Sequence, residues 1–132
     1  MPKIYFQTAV EDDGCLTFLE VNRDIPFEIK RVFQIYSVPN RRIVRANHAS
    51  MNTYFVLQAV SGQVDVQLDD GDKICTYALN KVSEGVIVPP LTWMKTMNFS
   101  KNAVLQVYAS EKYDACKYID DYKLFKEKVC NR

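Results

Sequence analysis

The chain has 132 residues, 48% of them hydrophobic and 12% aromatic, which supplies one ordinary packed domain and excludes a disordered chain. Its 17 Lys and Arg against 16 Asp and Glu leave a net charge of +1, without the basic excess of a dedicated nucleic-acid binder. No run of roughly 18 apolar residues and no signal-peptide core is present, so no membrane partner and a cytoplasmic location are expected.

Strand signals recur at short intervals through residue 110. Residues 31–38 are rich in β-branched and aromatic side chains and stop at Pro39. Residues 45–50, Arg-Ala-Asn-His-Ala-Ser, carry the single histidine; read as a strand, they turn His48 and Ser50 to one face and Arg45 to the other. Residues 54–60 predict a mostly buried strand ended by Ser61-Gly62. Residues 63–68 alternate, with Val64, Val66 and Leu68 inward and Asp65 and Gln67 outward. Asp69-Asp70-Gly71-Asp72 then predicts a hairpin turn, because Asp-Gly supplies the positive φ that a tight hairpin needs. Residues 73–79 return antiparallel, and further strands are expected at 85–88, 92–99 and 103–109. From Tyr113 onward the pattern changes: Tyr118, Ile119, Tyr122, Phe125 and Val129 recur at helical spacing. The expectation is a single all-β domain spanning 1–132, a sandwich or barrel over 1–110 with a C-terminal helix over 113–130.

A lone histidine is more often structural than catalytic. Metal is not expected, since a transition-metal site takes three or more ligands and His48 has neither a second histidine nor a nearby carboxylate in its segment. The four cysteines form no CxxC pair and are expected to remain free thiols. Trp93 and Tyr36 are, on composition alone, core or rim aromatics. Arg41, Arg42 and Arg45 precede His48, and Arg45 reaches its face only through a bulge or from a neighbouring subunit. No phosphate-loop glycine pattern and no nucleophile elbow occurs, so acid–base chemistry is the enzymatic option left.

Several stretches fall in register with one family: residues 16–20, Ile25-Pro26-Phe27-Glu28-Ile29-Lys30-Arg31-Val32-Phe33, Tyr36, Arg45 with His48-Ala49, Ser61-Gly62 with Val64-Asp65-Val66, and Leu68-Asp69-Asp70-Gly71. Further matches are Pro89-Pro90 with Trp93, Asn98-Phe99-Ser100, Ala109-Ser110 and Tyr113-Asp114. On these the chain resembles the WxcM-like cupin family of sugar-nucleotide 3,4-ketoisomerases. The resemblance implies a small jelly-roll (cupin) barrel, commonly a homodimer that shares edge strands, with no metal or other cofactor. It implies a dTDP-linked keto sugar as ligand, isomerised from 4-keto to 3-keto through an enediol on the way to amino-deoxy sugars of surface polysaccharides. It further implies His48 as acid/base with Tyr36 assisting, and Arg45, Ser50, Tyr54 and Trp93 about the substrate. The family's second histidine is replaced by Ser50, and Tyr54 and Phe55 replace a polar pair. Serine is no base near neutrality without an activating partner. A working ketoisomerase and a relative that binds a nucleotide sugar without isomerising it are therefore both carried forward. An epimerase-like activity on a related keto sugar is a third reading that needs the same proton abstraction.

Overall fold

The computed structural model describes residues 2–131. Short strands β1 (Lys3–Tyr5), β2 (Gln7–Glu11) and β3 (Gly14–Phe18) open the chain, followed by β4 (Arg31–Tyr36), β5 (Arg45–Ser50), β6 (Phe55–Ser61) and β7 (Val64–Asp69). Then come β8 (Ile74–Leu79), β9 (Glu84–Val88), β10 (Trp93–Met97), β11 (Val104–Ala109) and a two-residue β12 (Tyr118–Ile119). One sheet runs β1-β9-β6-β11-β4 and the other β12-β5-β10-β7-β8. Their inner faces meet in one apolar cluster to which Leu57, Val66, Val86, Met94, Leu105 and Val107 all contribute. The pairing is antiparallel throughout both sheets, and the architecture is the expected small jelly roll.

The inward phase read for residues 64, 66 and 68 holds, because period-2 side chains leave only one way to bury a Val-x-Val-x-Leu run. The β7–β8 hairpin turns at Gly71, whose φ of 96° disfavours any side chain, and a Cβ there would stand 2.5 Å from Val129 Cγ1. That close approach is how the C-terminal helix α1 (Tyr122–Cys130) docks, with Lys126 Nζ donating to the Gly71 carbonyl at 2.7 Å.

The helix is shorter than the 113–130 expected from spacing. Asp121 caps it, its carboxylate accepting from the backbone N–H of Lys123 and Leu124, so the helix cannot begin earlier. Upstream, residues 115–117 make one 3-10 turn capped by Asp114. Tyr118 and Ile119 then pair with Ser50 and Ala49 as an edge strand of the jelly roll rather than as helix. Helical spacing alone could not reveal this, since one apolar pair satisfies either period.

A second departure lies at the N-terminus. Among the described residues, strands β2 and β3 bond to each other and to no other strand, forming a hairpin outside the two sheets. Val10 on it is 77% exposed and Leu16 58%. Cysteines 15, 75, 116 and 130 are all free thiols, as expected.

Candidate active site

The His48 strand is not regular. Its pairing with β10 slips between Met94↔His48 and Lys95↔Ala46, so Asn47 is the extra residue of a β-bulge. Ala46 (φ 65°) and Asn47 (φ 59°) both take left-handed conformations there. Asn47 is held by Trp93, whose Nε1–H donates to Asn47 Oδ1 at 3.0 Å. The bulge overturns the strict alternation that separated Arg45 from His48: both residues line one cavity of about 220 Å³ between the sheets.

That inner cavity is walled mainly by apolar side chains such as Phe55, Leu57, Met94 and Val107. Thr96 is also among its wall residues, and its hydroxyl is buried with no hydrogen-bond partner among the described residues. A second, more open cavity of about 410 Å³ is lined by Arg31, Tyr113 and Asp120. Phe33, His48 and Tyr118 line both, so the imidazole borders an inner and an outer chamber.

The half-buried His48 ring has its pKa pushed below the ordinary 6.5, first by burial and also by the Arg31 charge, with its own backbone and Asp120 acting in the opposite sense. Near neutrality it is the free base, able to accept a proton. Its ring meets the edge of Tyr118 at a centroid distance of 4.9 Å and an angle of 89°. Arg31 donates to the Tyr118 hydroxyl at 2.7 Å. The Arg31 guanidinium lies 5.3 Å from the Phe33 ring centroid, 5.5 Å from Tyr113 and 6.0 Å from both Phe55 and Tyr118. Such a sheath of rings holds a cation through their negative faces while excluding water.

Of the residues singled out from the sequence, the fold brings His48 and Arg45 together and leaves four others elsewhere within the chain. Tyr36 ends β4 opposite Val104, is 64% exposed, and lines neither chamber. Ser50 is 4% exposed, and its Oγ accepts from the Thr53 N–H at 3.1 Å, so the hydroxyl is engaged in closing the turn after β5. Tyr54 leans on the Phe27 ring with centroids 6.3 Å apart. Trp93 is buried against Tyr122 and Phe125 of the helix and reaches the site through its hydrogen bond to Asn47. No three His, Cys, Asp or Glu side chains gather as potential metal ligands among the described residues.

Arg31, Tyr113, Tyr118 and Asp120 do not stand out as site residues in the sequence. Arg31 does carry a signal: it shares the inward phase of β4 with Phe33 and Ile35, and a charged residue in an inward phase needs a reason. Tyr118 carries none, because its helical spacing conceals its strand.

The FdtA family, described as WxcM-like, C-terminal, matches residues 2–130 of the chain. A TDP-4-oxo-6-deoxy-alpha-D-glucose-3,4-oxoisomerase from Aneurinibacillus thermoaerophilus is 35% identical over 126 residues, covering 96% of this chain and 90% of that protein. Among solved structures, the sugar 3,4-ketoisomerase QdtA from Thermoanaerobacterium thermosaccharolyticum, in complex with TDP, superposes with a TM-score of 0.94 at 35% identity, over 98% of this chain and 94% of that one. The TDP-fucose-3,4-ketoisomerase WlaRA from Campylobacter jejuni gives a TM-score of 0.90 at 32% identity, over 98% and 95% of the two chains. With the match running end to end in both sequence and fold, the chain belongs to the FdtA, WxcM-like family of jelly-roll proteins.

Proposed function

We propose that this protein is a sugar-nucleotide 3,4-ketoisomerase that takes a TDP-linked 4-keto-6-deoxyhexose to its 3-keto isomer, with His48 as the base at the reacting carbons. The observation that carries this is the neutral imidazole bordering two chambers, in a chain whose full-length relatives are 3,4-ketoisomerases. A mutant of the Thermoanaerobacterium enzyme is seen in complex with TDP-4-keto-6-deoxyglucose, and that sugar nucleotide represents the proposed substrate class. The inner chamber suits a deoxy sugar: apolar walls for its methyl and ring carbons, with Arg45 available to its oxygens. The outer chamber offers Arg31 and exposed aromatic surface to the rest of the ligand.

Removal of the proton on the carbon beside a ketone needs a base whose pKa lies near or just below the working pH, and a buried neutral imidazole meets that need. Such a reaction on a nucleotide sugar belongs in the cytoplasm, within deoxyamino-sugar biosynthesis for surface polysaccharide. The assembly proposed is a homodimer. Its support is the hairpin of β2 and β3: two strands alone are marginal in water, this pair leaves Val10 and Leu16 bare, and β4 presents an open sheet edge. A second copy supplies a partner for both features.

One observation favours a second reading, a relative that binds the nucleotide sugar without isomerising it: the Ser50 hydroxyl is spent on the Thr53 N–H, and His48 is the only imidazole. Proton NMR of the protein with TDP-4-keto-6-deoxyglucose in D₂O separates the two. Solvent deuterium entering at C3 of the 4-keto substrate or at C4 of a 3-keto product, with that product formed, establishes the isomerase. Ligand line-broadening without exchange or product establishes the binding-only relative.

A further inference from the structure

Moving a carbonyl from C4 to C3 requires more than the carbon-bound proton transfer assigned to His48. The C4 oxygen must gain a proton and the C3 hydroxyl must lose one, at atoms on the far side of the carbon–carbon bond from the base. We propose that Tyr118, its phenol oriented by Arg31, is the second proton-transfer group of this site. The role rests on the ketoisomerase reading.

Three features of the fold support it. Tyr118 is the cross-strand partner of Ser50, and paired residues of antiparallel strands project to one face. His48 is two residues from Ser50 on that same face, so Tyr118 lies diagonally beside the imidazole, and their rings meet edge to face. The small side chain at position 50 leaves this face to the tyrosine. Next, the phenol oxygen accepts from Arg31 at 2.7 Å. A hydroxyl that already accepts along one lone pair keeps its own proton free to donate, and both chambers have Tyr118 in their walls. Finally, Arg31 makes no ion pair with a carboxylate among the described residues, and its Nε is buried without a partner. A cation with no carboxylate to neutralise it stabilises the negative charge that develops during reaction on a phenol oxygen to which it donates.

The steps balance without any further reactant. His48 takes the C3 proton as the C3–C4 double bond forms and negative charge moves onto the C4 oxygen; in a second step Tyr118 gives its proton to that oxygen, producing the enediol. The resulting phenolate, paired with Arg31, removes the proton of the C3 hydroxyl as the C3 carbonyl forms, and the imidazolium returns its proton to C4. Both residues end as they began.

The test is Tyr118→Phe, which keeps the ring in its packing and removes only the hydroxyl. With TDP-4-keto-6-deoxyglucose in D₂O, formation of the 3-keto product should fall about 10²–10⁴-fold. Wash-in of deuterium at C3, which needs only His48, should fall far less, and KM should stay near the wild-type value. Product formation and C3 exchange falling in parallel would mark Tyr118 as merely structural and overturn the role, as would an unchanged kcat. If Tyr118→Phe does not fold, Arg31→Gln serves in its place: a greater loss of isomerisation than of exchange upholds the pair, and equal losses overturn it. Wild-type protein that neither isomerises nor exchanges refutes the ketoisomerase reading itself, and the Tyr118 role with it; an active wild type beside an unimpaired Y118F variant refutes the tyrosine's role alone.

Discussion

Asn47 joins the bulge, the helix and the active site, and replacing it tests all three. Its side chain accepts from Trp93 Nε1, and its φ of 59° places it in the left-handed region. Asn47→Ala leaves the Trp93 N–H unsatisfied on a side chain only 4% exposed, a loss of about 1–3 kcal/mol. It also puts an alanine into a conformation that costs an ordinary L-residue roughly 1–2 kcal/mol, more than it costs asparagine. The expected destabilisation is therefore about 2–4 kcal/mol. Asn47→Gly loses the same hydrogen bond but tolerates the backbone, so it should retain about 1 kcal/mol more than the alanine variant. Urea denaturation with a common m-value measures both. Ketoisomerase turnover should fall in both variants, because the bulge is what turns Arg45 and His48 into one cavity. An alanine variant as stable as wild type, or one ranking above the glycine variant, would refute both the Trp93 hydrogen bond and the left-handed backbone as what hold the bulge.

Other perturbations have equally definite expected outcomes. His48→Asn should abolish turnover while TDP binding, measured calorimetrically, persists. In the wild type kcat/KM should fall with acid pH around a midpoint below 6.5, because only the neutral imidazole of the free enzyme accepts a proton. The sign for stability is the same: the unfolded chain binds the His48 proton more readily than the folded one, so stability declines as pH drops below about 6.5 and levels off beneath the folded-state value. That decline should be smaller in the His48→Asn variant when the two are unfolded in urea across pH. Ala46→Gly should raise stability by about 1 kcal/mol, since Ala46 holds a φ of 65° that glycine adopts freely; a loss in the same urea titration would contradict the strain. Val10→Asp with Leu16→Asp should shift the protein toward monomer in sedimentation velocity, and an unaltered dimer would remove the hairpin from the interface.

The jelly roll and its principal histidine are legible in the order of residues alone. Alternation at 64–68, the Asp-Gly turn and the buried run at 55–59 are local signals, readable because a strand has one period and a hairpin few turn types. The end-to-end motif matches carry the family for the same reason, each being a short contiguous stretch. Which side chains meet is a different matter, decided only on folding. Arg45 joins His48 because a bulge at Asn47 resets the pleat, and that bulge depends on Trp93, 46 residues away along the chain. Tyr118 arrives beside His48 because an Asp121 cap delays the helix and frees two residues to pair with β5. Arg31 becomes a caged cation only when Phe55 of β6 and Tyr113 and Tyr118 of the C-terminal tail join Phe33 of its own strand around it. Each of these depends on contacts between distant parts of the chain, settled by how the two sheets and the tail pack together; the inward phase of Arg31 is the one local trace of them.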